Sequence, residues 1–274
     1  MMQRKIQALA NTTFDLLVLG GGIQGACVAW EATLRGLSVA LIDQSDFGAA
    51  TSANSLKIIH GGLRYLQTAD FNRMRQSIRE RQILMRIAPH LVHPLPVLVP
   101  TYGHGLKGRE AMMVALKLND WISCDRNQGL NDPHKHIPPG QVISRQSCLQ
   151  QVPGIAKQGL TGAVTFHDAQ VYNSERLTLS FIKSAAQQGA TVANYVKAIG
   201  FLQTGDQIQG VTAQDGPTGA PLDIRAKAVI NTSGPWLNQV LGLLPMAHPD
   251  QRFAKAINLV LRRPLLETPY AIAF

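Results

Sequence analysis

The chain has 274 residues, of which 45% are hydrophobic and 16% charged, and its formal net charge is +9. This composition excludes an intrinsically disordered chain, and the length allows one large domain or two smaller ones. No apolar run approaches the roughly 18 residues of a membrane-spanning helix, and the N-terminus lacks the apolar segment and cleavage site of a secretory signal.

The first predicted elements are a strand and a glycine turn. Phe14–Leu19 is a short apolar run, the pattern of a buried parallel strand. Gly20, Gly22 and Gly25 follow it as G-x-G-x-x-G. Glycines at this spacing permit a tight turn, let a pyrophosphate approach the backbone, and allow the next helix to pack against the strand with its N-terminal amides directed at the phosphates.

The following segment completes a βαβ unit. Ala26–Arg35 is alanine-rich and predicts a helix that ends at Gly36, and Leu37–Ile42 predicts a second strand. Asp43 comes next, where its carboxylate can accept hydrogen bonds from the two hydroxyls of an adenosine ribose. The order and spacing predict a Rossmann-type dinucleotide site. The competing interpretation is a glycine-rich turn that binds nothing.

Hydroxyl side chains follow the second strand. Thr51, Ser52 and Ser55 are suited to pyrophosphate and ribityl oxygens, and Lys57–Ile59 predicts a further strand. This strand leads to a second pair of adjacent glycines.

The segment after Ile59 combines glycines with anion-binding and aromatic groups. Gly61 and Gly62 would let the backbone run against a flat ring such as isoalloxazine. Arg64 offers a fixed fork of donors that matches a phosphate or carboxylate, and Tyr65 adds an aromatic face with a hydroxyl. Two alternatives remain: Arg64 pairs with a surface acid, and His60 is a core histidine bonded to backbone.

The arginine-rich segment 70–91 predicts an amphipathic helix. Its apolar face comprises Met74, Ile78, Leu84, Ile87 and Leu91, beneath a basic face. That basic face is either solvated or in contact with anionic lipid. Nucleic acid is disfavoured, because no recognition motif accompanies the charge.

The middle of the chain predicts extended segments and then a helix. Prolines at 94, 96 and 100 break the run LVHPLPVLVP into short pieces that suit edge strands. Ala111–Ser123 predicts a helix. His134 and His136 lie two residues apart in a proline-flanked loop, but no third ligand is spaced to join them, so no metal is predicted.

Three cysteines are spread along the chain. Cys27, Cys124 and Cys148 form no C-x-x-C pair, which argues for reduced thiols in a cytoplasmic protein.

From residue 160 the pattern returns to strands and a helix. A strand leads to Asp168, predicted as an exposed acid before a loop, and Ser174–Gln188 predicts a helix. Thr191–Val196 predicts one strand, and Gln207–Thr212 with Leu222–Arg225 predicts a hairpin.

The last predicted strands lie beyond that hairpin. Ala228–Asn231 predicts a strand that ends in small residues around Gly234, a composition that suits a backbone close to a dinucleotide. Leu259–Leu261 and Tyr270–Phe274 predict further strands.

Several runs resemble the flavin-dependent glycerol-3-phosphate dehydrogenases, within the D-amino-acid-oxidase-like group of FAD oxidoreductases. The runs are FDLLVLGGGIQG, TSANSLKIIHGGLRYL and RERQILMRIAPHLVHPLPVLVP, and the resemblance returns around Asp168 and Asn231–Trp236. It implies FAD with its pyrophosphate on the first glycine turn, its ribose on Asp43 and its ring near residues 55–62. It also implies that the backbone at Val196 meets the adenine.

The resemblance also implies a fold and a domain division. The fold is α/β: a Rossmann-like FAD-binding domain, interrupted in sequence, spans residues 1–90 and 160–240. A second, mainly antiparallel β substrate domain spans 91–159 and 241–274 and is incomplete, because members of the family continue past Phe274.

The implied activity is oxidation of a small anionic alcohol, preferably glycerol 3-phosphate to dihydroxyacetone phosphate, with His60, Arg64 and Tyr65 at the substrate. Electrons would pass to a membrane quinone, which implies a cytoplasmic protein peripheral on the inner face of the cell membrane. A homodimer is one candidate assembly.

Two other functions stay open. In the segment KAINL, Asn258 occupies a place where the family usually has histidine, and asparagine cannot act as a base at neutral pH. That favours an amine or amino-acid oxidase that uses oxygen. The other alternative is a truncated chain that binds FAD without turnover.

Overall fold

The computed structural model describes residues 3–105, 108–245 and 249–274, and the chain divides into two compact units. In chain order the helices and strands are α1 (Ile6–Asn11), β1 (Thr13–Leu19), α2 (Ile23–Leu34), β2 (Val39–Ile42), β3 (Ile58–Ile59), α3 (Phe71–Ile87), β4 (Val92–Tyr102), α4 (Arg109–Ile122), β5 (Gln141–Ser144), α5 (Arg145–Gln151), β6 (Leu160–Val171), α6 (Ser174–Gln187), β7 (Thr191–Ala193), β8 (Val196–Thr204), β9 (Gln207–Asp215), β10 (Pro221–Asn231), α7 (Leu237–Leu241) and β11 (Ala271–Ile272). Short 3-10 helices occur at Leu63–Thr68, Pro133–Lys135 and Gly234–Trp236.

The first unit, Met1–Leu56 with Asn173–Asn258, is built on a six-stranded sheet in the order β7-β2-β1-β10-β9-β8. The four strands from β7 to β10 are parallel, and β9 and β8 continue the sheet antiparallel. β1, α2 and β2 form the predicted βαβ unit. The expected Rossmann-like α/β fold is confirmed.

Strands β1 and β2 are almost entirely buried, as their continuous apolar sequence predicts. α2 turns its alanines toward the sheet, and Trp30 meets Phe181 of α6 edge-on, with ring centroids 5.2 Å apart. The buried core of this unit consists of Leu9, Phe14, Leu17, Leu19, Ala40, Ile42, Ala193, Val196, Val211, Ala213, Leu222, Ile224 and Ala226.

Two strand predictions in the first unit are wrong in extent. The segment Thr191–Val196 is not one strand, because Tyr195 adopts a positive φ of 54° between β7 and β8. The predicted strands Leu222–Arg225 and Ala228–Asn231 are one strand, β10. Its first half pairs antiparallel with β9 and its second half parallel with β1, so neither partner alone defines its length.

The second unit, Lys57–Tyr172 with Leu259–Phe274, is centred on β6. β4 pairs antiparallel with β6 along its whole length, and β3 and β5 pair antiparallel with the other edge of β6. β11 adds a short parallel pairing to β4. The core beside α5 comprises Leu98, Cys148, Val152, Ile155, Leu160 and Ala163.

The proline-rich segment forms one continuous strand, which corrects the prediction of short pieces. Pro94, Pro96 and Pro100 are spaced by even numbers from Leu98, whose carbonyl accepts the Ala273 N–H (3.0 Å) on the edge away from β6. All three missing N–H groups therefore face that outer edge, and the pairing with β6 loses no donor.

α3 forms where the sequence predicts it, but its buried face differs. Met74, Ile78 and Met85 are buried, and Arg81 lies between them on the same stripe. Ile87, predicted to be on the apolar face, is 41% exposed. Ile87 lies to one side of the row that Met74, Ile78, Arg81 and Met85 form at positions i, i+4, i+7 and i+11.

The units divide the chain at other residues than the sequence predicts. The predicted FAD-binding segments end at 90 and begin again at 160, whereas the first unit ends at Leu56 and resumes at Asn173. β3 pairs with β6 and β6 pairs with β4, so the residues on both sides of these boundaries share one sheet.

At the C-terminal end, the predicted strand Leu259–Leu261 is exposed and irregular, because no neighbouring strand pairs with it in the described part of the chain. Tyr270–Phe274 contains the two-residue strand β11. Among the described residues, none of the helices is long and apolar enough to cross a membrane.

Candidate functional site

The first glycine turn, at the carboxyl end of β1, packs against the end of β10. Gly20 has a φ of +108°, and a Cβ there would lie 2.6 Å from the Thr232 carbonyl oxygen. A Cβ on Gly25 would lie 1.9 Å from the Gly20 oxygen. The Thr232 hydroxyl donates to the carbonyls of Leu19 (3.0 Å) and Gly20 (2.9 Å). Side chains are therefore excluded at both glycines.

The N-terminus of α2 faces this turn. Gly22 is its N-cap, and the first turn of this twelve-residue helix contains no acidic residue. The Ser52 hydroxyl accepts a hydrogen bond from the Ile23 N–H (2.9 Å), so the structure brings this predicted ligand to the glycine turn. Thr51 and Ser55 lie in the same segment and are exposed. A helix N-terminus of this kind favours an anion.

Asp43, at the end of β2, is fixed by backbone contacts. One carboxylate oxygen accepts the Gly21 N–H (2.6 Å), and the other accepts the N–H (2.8 Å) and hydroxyl (3.1 Å) of Ser45. A carboxylate has about four acceptor positions and three are used here, so one position remains for a ribose hydroxyl. The Asp43 carbonyl accepts the Val196 N–H (2.7 Å), which places Val196 beside it.

The end of β10 contributes a second polar segment. The Asn231 side-chain oxygen accepts the N–H (3.0 Å) and hydroxyl (2.6 Å) of Ser233. Its amide nitrogen is buried and has no hydrogen-bond partner among the described residues. Gly234 begins the following 3-10 helix with a φ of +56° and is exposed. Carboxyl ends of parallel strands are where α/β sheets bind ligands.

In the second unit, Asp168 is the main correction to the site prediction. The sequence predicts an exposed acid, but Asp168 lies within β6 and is only 9% exposed. One of its carboxylate oxygens accepts the Gly61 N–H (2.6 Å) and a hydrogen bond from Arg81 Nη1 (2.8 Å). Arg81 also donates to the His167 carbonyl (3.0 Å).

Arg81 was missed by the sequence analysis. Burial lowers the pKa of its guanidinium, and the Asp168 carboxylate opposes that effect. Burial also lowers the pKa of His167, with a further contribution from the Arg81 charge. The available signal was position: Arg81 lies three residues after Ile78 and four before Met85, so it interrupts the apolar stripe of α3.

The predicted substrate residues are close together. The Arg64 guanidinium carbon lies 5.1 Å from the centre of the Tyr65 ring, and the His60 ring meets Tyr65 edge-on at 5.9 Å. Arg64 and His60 are exposed, whereas the backbones of Gly61 and Gly62 are buried. An open groove of about 500 Å³ is lined by Ile58, Ile59, His60, Tyr65, Arg73, Gln76, Ser77 and Glu80.

No group of three or more His, Cys, Asp or Glu residues in the described part of the chain is arranged to hold a metal ion.

A family model described as FAD dependent oxidoreductase matches residues 15–272. The chain belongs to this family. A glycerol-3-phosphate dehydrogenase of Synechocystis is 38% identical over 88% of this chain and 42% of its own length. An alpha-glycerophosphate oxidase of Lactococcus lactis is 34% identical over 99% of this chain and 44% of its own length. The resemblance stated from the sequence is confirmed.

Solved structures agree with this assignment. The glycerol-3-phosphate dehydrogenase from Bacillus halodurans, complexed with FAD, aligns with a TM-score of 0.65 at 27% identity, over 87% of this chain and 38% of that chain. L-proline dehydrogenase from P. horikoshii aligns with a TM-score of 0.62 at 20% identity, which shows the fold alone. This chain spans less than half the length of the curated relatives described here.

The first unit fits the predicted cofactor. The N-terminus of α2 suits a pyrophosphate, the short distances at Gly20 and Gly25 exclude side chains from the glycine turn, and Asp43 has one acceptor position left for a ribose hydroxyl. FAD is therefore the cofactor that both the family and these residues support.

Proposed function

We propose that this chain supplies the FAD-binding unit and part of the substrate pocket of an enzyme that oxidises glycerol 3-phosphate to dihydroxyacetone phosphate. The observation that carries the proposal is the 34–38% identity, over most of the chain, to relatives named glycerol-3-phosphate dehydrogenase or alpha-glycerophosphate oxidase. The glycine turn with Asp43 supports the cofactor part.

The start of α2, Ser52 and Asp43 have separate tasks in cofactor binding. When bound, FAD supplies the hydride acceptor. The amides at the start of α2 bind the pyrophosphate, and the Ser52 hydroxyl holds the first turn of that helix. Asp43 would accept a ribose hydroxyl, and its bonds to Gly21 and Ser45 prevent its carboxylate from turning away.

The second unit supplies the substrate contacts in this proposal. Arg64 binds the phosphate through its fork of N–H donors, which stays exposed while the guanidinium lies over Tyr65. Tyr65 and His60 line the adjacent groove and orient the hydroxyl-bearing carbon. His60 is the nearby imidazole that is able to receive the hydroxyl proton.

The electron acceptor is proposed to be a membrane quinone, with the protein peripheral on the inner face of the cell membrane. On α3, Arg79 and Arg86 are exposed and suit an anionic lipid surface, whereas Arg73 and Arg75 are paired with acids. We expect the protein to sediment with anionic vesicles, and we expect the sedimented fraction to fall when salt is added or when Arg79→Gln and Arg86→Gln are introduced together.

A homodimer remains our proposal for the assembly and is tested by analytical ultracentrifugation.

The second candidate is an oxidase that passes electrons to oxygen, favoured by the relatives of that name. Production of hydrogen peroxide during aerobic turnover would support it, whereas quinone reduction without peroxide would support the dehydrogenase.

The deciding experiment is an anaerobic visible spectrum of the FAD-loaded chain, before and after addition of glycerol 3-phosphate. Bleaching of the oxidised flavin band supports the proposal. Bleaching of the flavin band by an amino acid instead would change the proposed activity to amine or amino-acid oxidation. Retained flavin that no substrate reduces would leave a FAD-binding chain without turnover.

A further inference from the structure

Among the described residues of the second unit, the ion pair of Arg81 and Asp168 is almost fully removed from water. The side chains of Arg81 and Asp168 are 6% and 12% exposed and lie 2.8 Å apart. They come from α3 and β6 and lie 87 residues apart in sequence. The acceptor oxygen of Asp168 is shared, because it also takes the N–H of Gly61 at 2.6 Å.

The backbone at Gly61 rests directly on this pair. A Cβ on Gly61 would lie 2.3 Å from Arg81 Nη1 and 2.5 Å from the guanidinium carbon. The next residue, Gly62, has a φ of +80°, and a Cβ on it would lie 3.0 Å from the Met74 Cα of α3. The His60–Gly62 turn is therefore held by close packing against α3 and by the hydrogen bond from Gly61 to the Asp168 carboxylate.

Stability alone does not account for a pair in this place. The free energy lost when two charges are removed from water is often larger than the free energy gained from their attraction. Apolar replacements of similar volume are therefore often neutral or stabilising. What such replacements cannot supply is an acceptor for the Gly61 N–H. The pair is thus a device for fixing one backbone conformation, and that conformation carries His60 and leads directly to Arg64 and Tyr65.

We propose that Arg81 and Asp168 are positioning residues that lock the His60–Gly62 turn in the geometry required for substrate oxidation. Neither residue touches the substrate: Asp168 holds the Gly61 amide, and Arg81 orients the Asp168 carboxylate while its Nη1 also donates to the His167 carbonyl. The link to oxidation rests on the proposed function, whereas the lock on the turn stands independently.

The test compares two double variants of the FAD-loaded chain. Arg81→Met/Asp168→Leu removes the buried pair and fills its space. The matched control, Arg75→Met/Asp125→Leu, removes an ion pair of the same residue types whose arginine also lies on α3. Its contacts are 2.7 and 2.8 Å, and its side chains are 45% and 37% exposed. Two readouts are needed: hydrogen exchange of the peptide 58–66, and the kcat and KM of flavin reduction by glycerol 3-phosphate.

For the buried-pair variant we expect exchange at the Gly61 amide to accelerate about tenfold or more, because the amide loses its buried acceptor. We expect kcat to fall at least about tenfold with a smaller change in KM, because the reacting groups are misplaced rather than removed. The control variant should leave both readouts at the parent values. Asp168→Asn, which keeps one acceptor oxygen, should lie between the two.

Parent-like exchange and kcat in a folded Arg81→Met/Asp168→Leu variant would overturn the proposal. If that variant does not fold, Asp168→Asn and Arg81→Lys decide, with faster exchange at 58–66 in support and unchanged exchange against. If glycerol 3-phosphate fails to reduce the flavin of the parent chain, the proposed function fails, and the exchange result still decides whether the pair locks the turn.

Discussion

Each unit of this chain has a glycine turn at the end of a strand, and the two turns are held by different kinds of contact. The turn after β1 is packed against backbone: Gly20 and Gly25 leave no room for a Cβ beside Thr232 and each other. In the turn after β3, Gly61 is packed against charged side-chain ends, because it lies on Arg81 and donates to Asp168. Backbone atoms cannot move aside to admit a new Cβ. A side chain can move aside, but it then loses the contact with its partner.

This difference predicts the largest effect at Gly25. Gly25→Ala would place a Cβ 1.9 Å from the Gly20 oxygen, which has no alternative position within the turn. We expect a loss of about 4 kcal/mol or more in the free energy of unfolding, and loss of FAD binding. Urea unfolding and flavin content provide the measurements. Gly36→Ala is the control, because nothing lies within 4 Å of a Cβ built at Gly36. The positive φ alone should then lower its free energy of unfolding, by about 1–2 kcal/mol.

Gly61→Ala should have a smaller effect, because the Arg81 guanidinium is able to shift. The collision at 2.3 Å displaces Arg81 from Asp168 rather than displacing backbone. We expect a loss of about 1–3 kcal/mol in the free energy of unfolding, measured by urea denaturation. A double-mutant cycle with Arg81→Lys should show strong coupling, since both changes act on one contact. A loss equal to that of Gly25→Ala would contradict the comparison.

Asp43→Asn tests the Asp43 carboxylate at nearly constant volume, and its amide oxygen can replace only one of the two oxygens that accept the Gly21 and Ser45 N–H groups. The amide oxygen replaces only one of two charged acceptors, so we expect FAD to bind about tenfold more weakly, a loss of about 1.4 kcal/mol. Flavin fluorescence titration measures the dissociation constant. Asp46→Asn, three residues further on and exposed, should bind FAD as the parent does.

The smallest effect concerns acid stability of the first unit. The Thr218 hydroxyl and the Arg4 guanidinium hold the pKa of Asp215 below its ordinary value of 3.8. Because the folded-state pKa is lowered, the stability that Asp215 contributes is complete above about pH 4 and is lost as the pH falls through the folded-state pKa. We therefore expect the decline in melting temperature between about pH 4 and pH 3 to be shallower in Asp215→Asn. Parallel curves for parent and variant would exclude a role for Asp215.

The two turns also differ in how far the sequence predicts them. The glycine spacing, the following helix and Asp43 lie within 30 residues, and β1, α2 and β2 form as predicted. His60, Arg64 and Tyr65 were predicted as a group, and the structure brings them together. The roles of these residues in binding FAD and substrate remain proposals.

The predictions of strand length and of side-chain exposure were wrong where they depended on partners far away in the sequence. β10 extends across two predicted strands because β9 and β1 each pair with a different half of it. β4 stays continuous through three prolines because their missing donors all face away from β6. Asp168 is buried rather than exposed because Arg81 lies opposite it.

The sequence by itself determined the family, the βαβ unit and the cofactor class, because each depends on residue types at short, fixed spacing. Only the tertiary structure decided the extents of β4 and β10 and the burial of Arg81 with Asp168. The physical reason is that strand pairing and buried ion pairs are made between segments far apart in the chain, where neither partner's local sequence specifies the other.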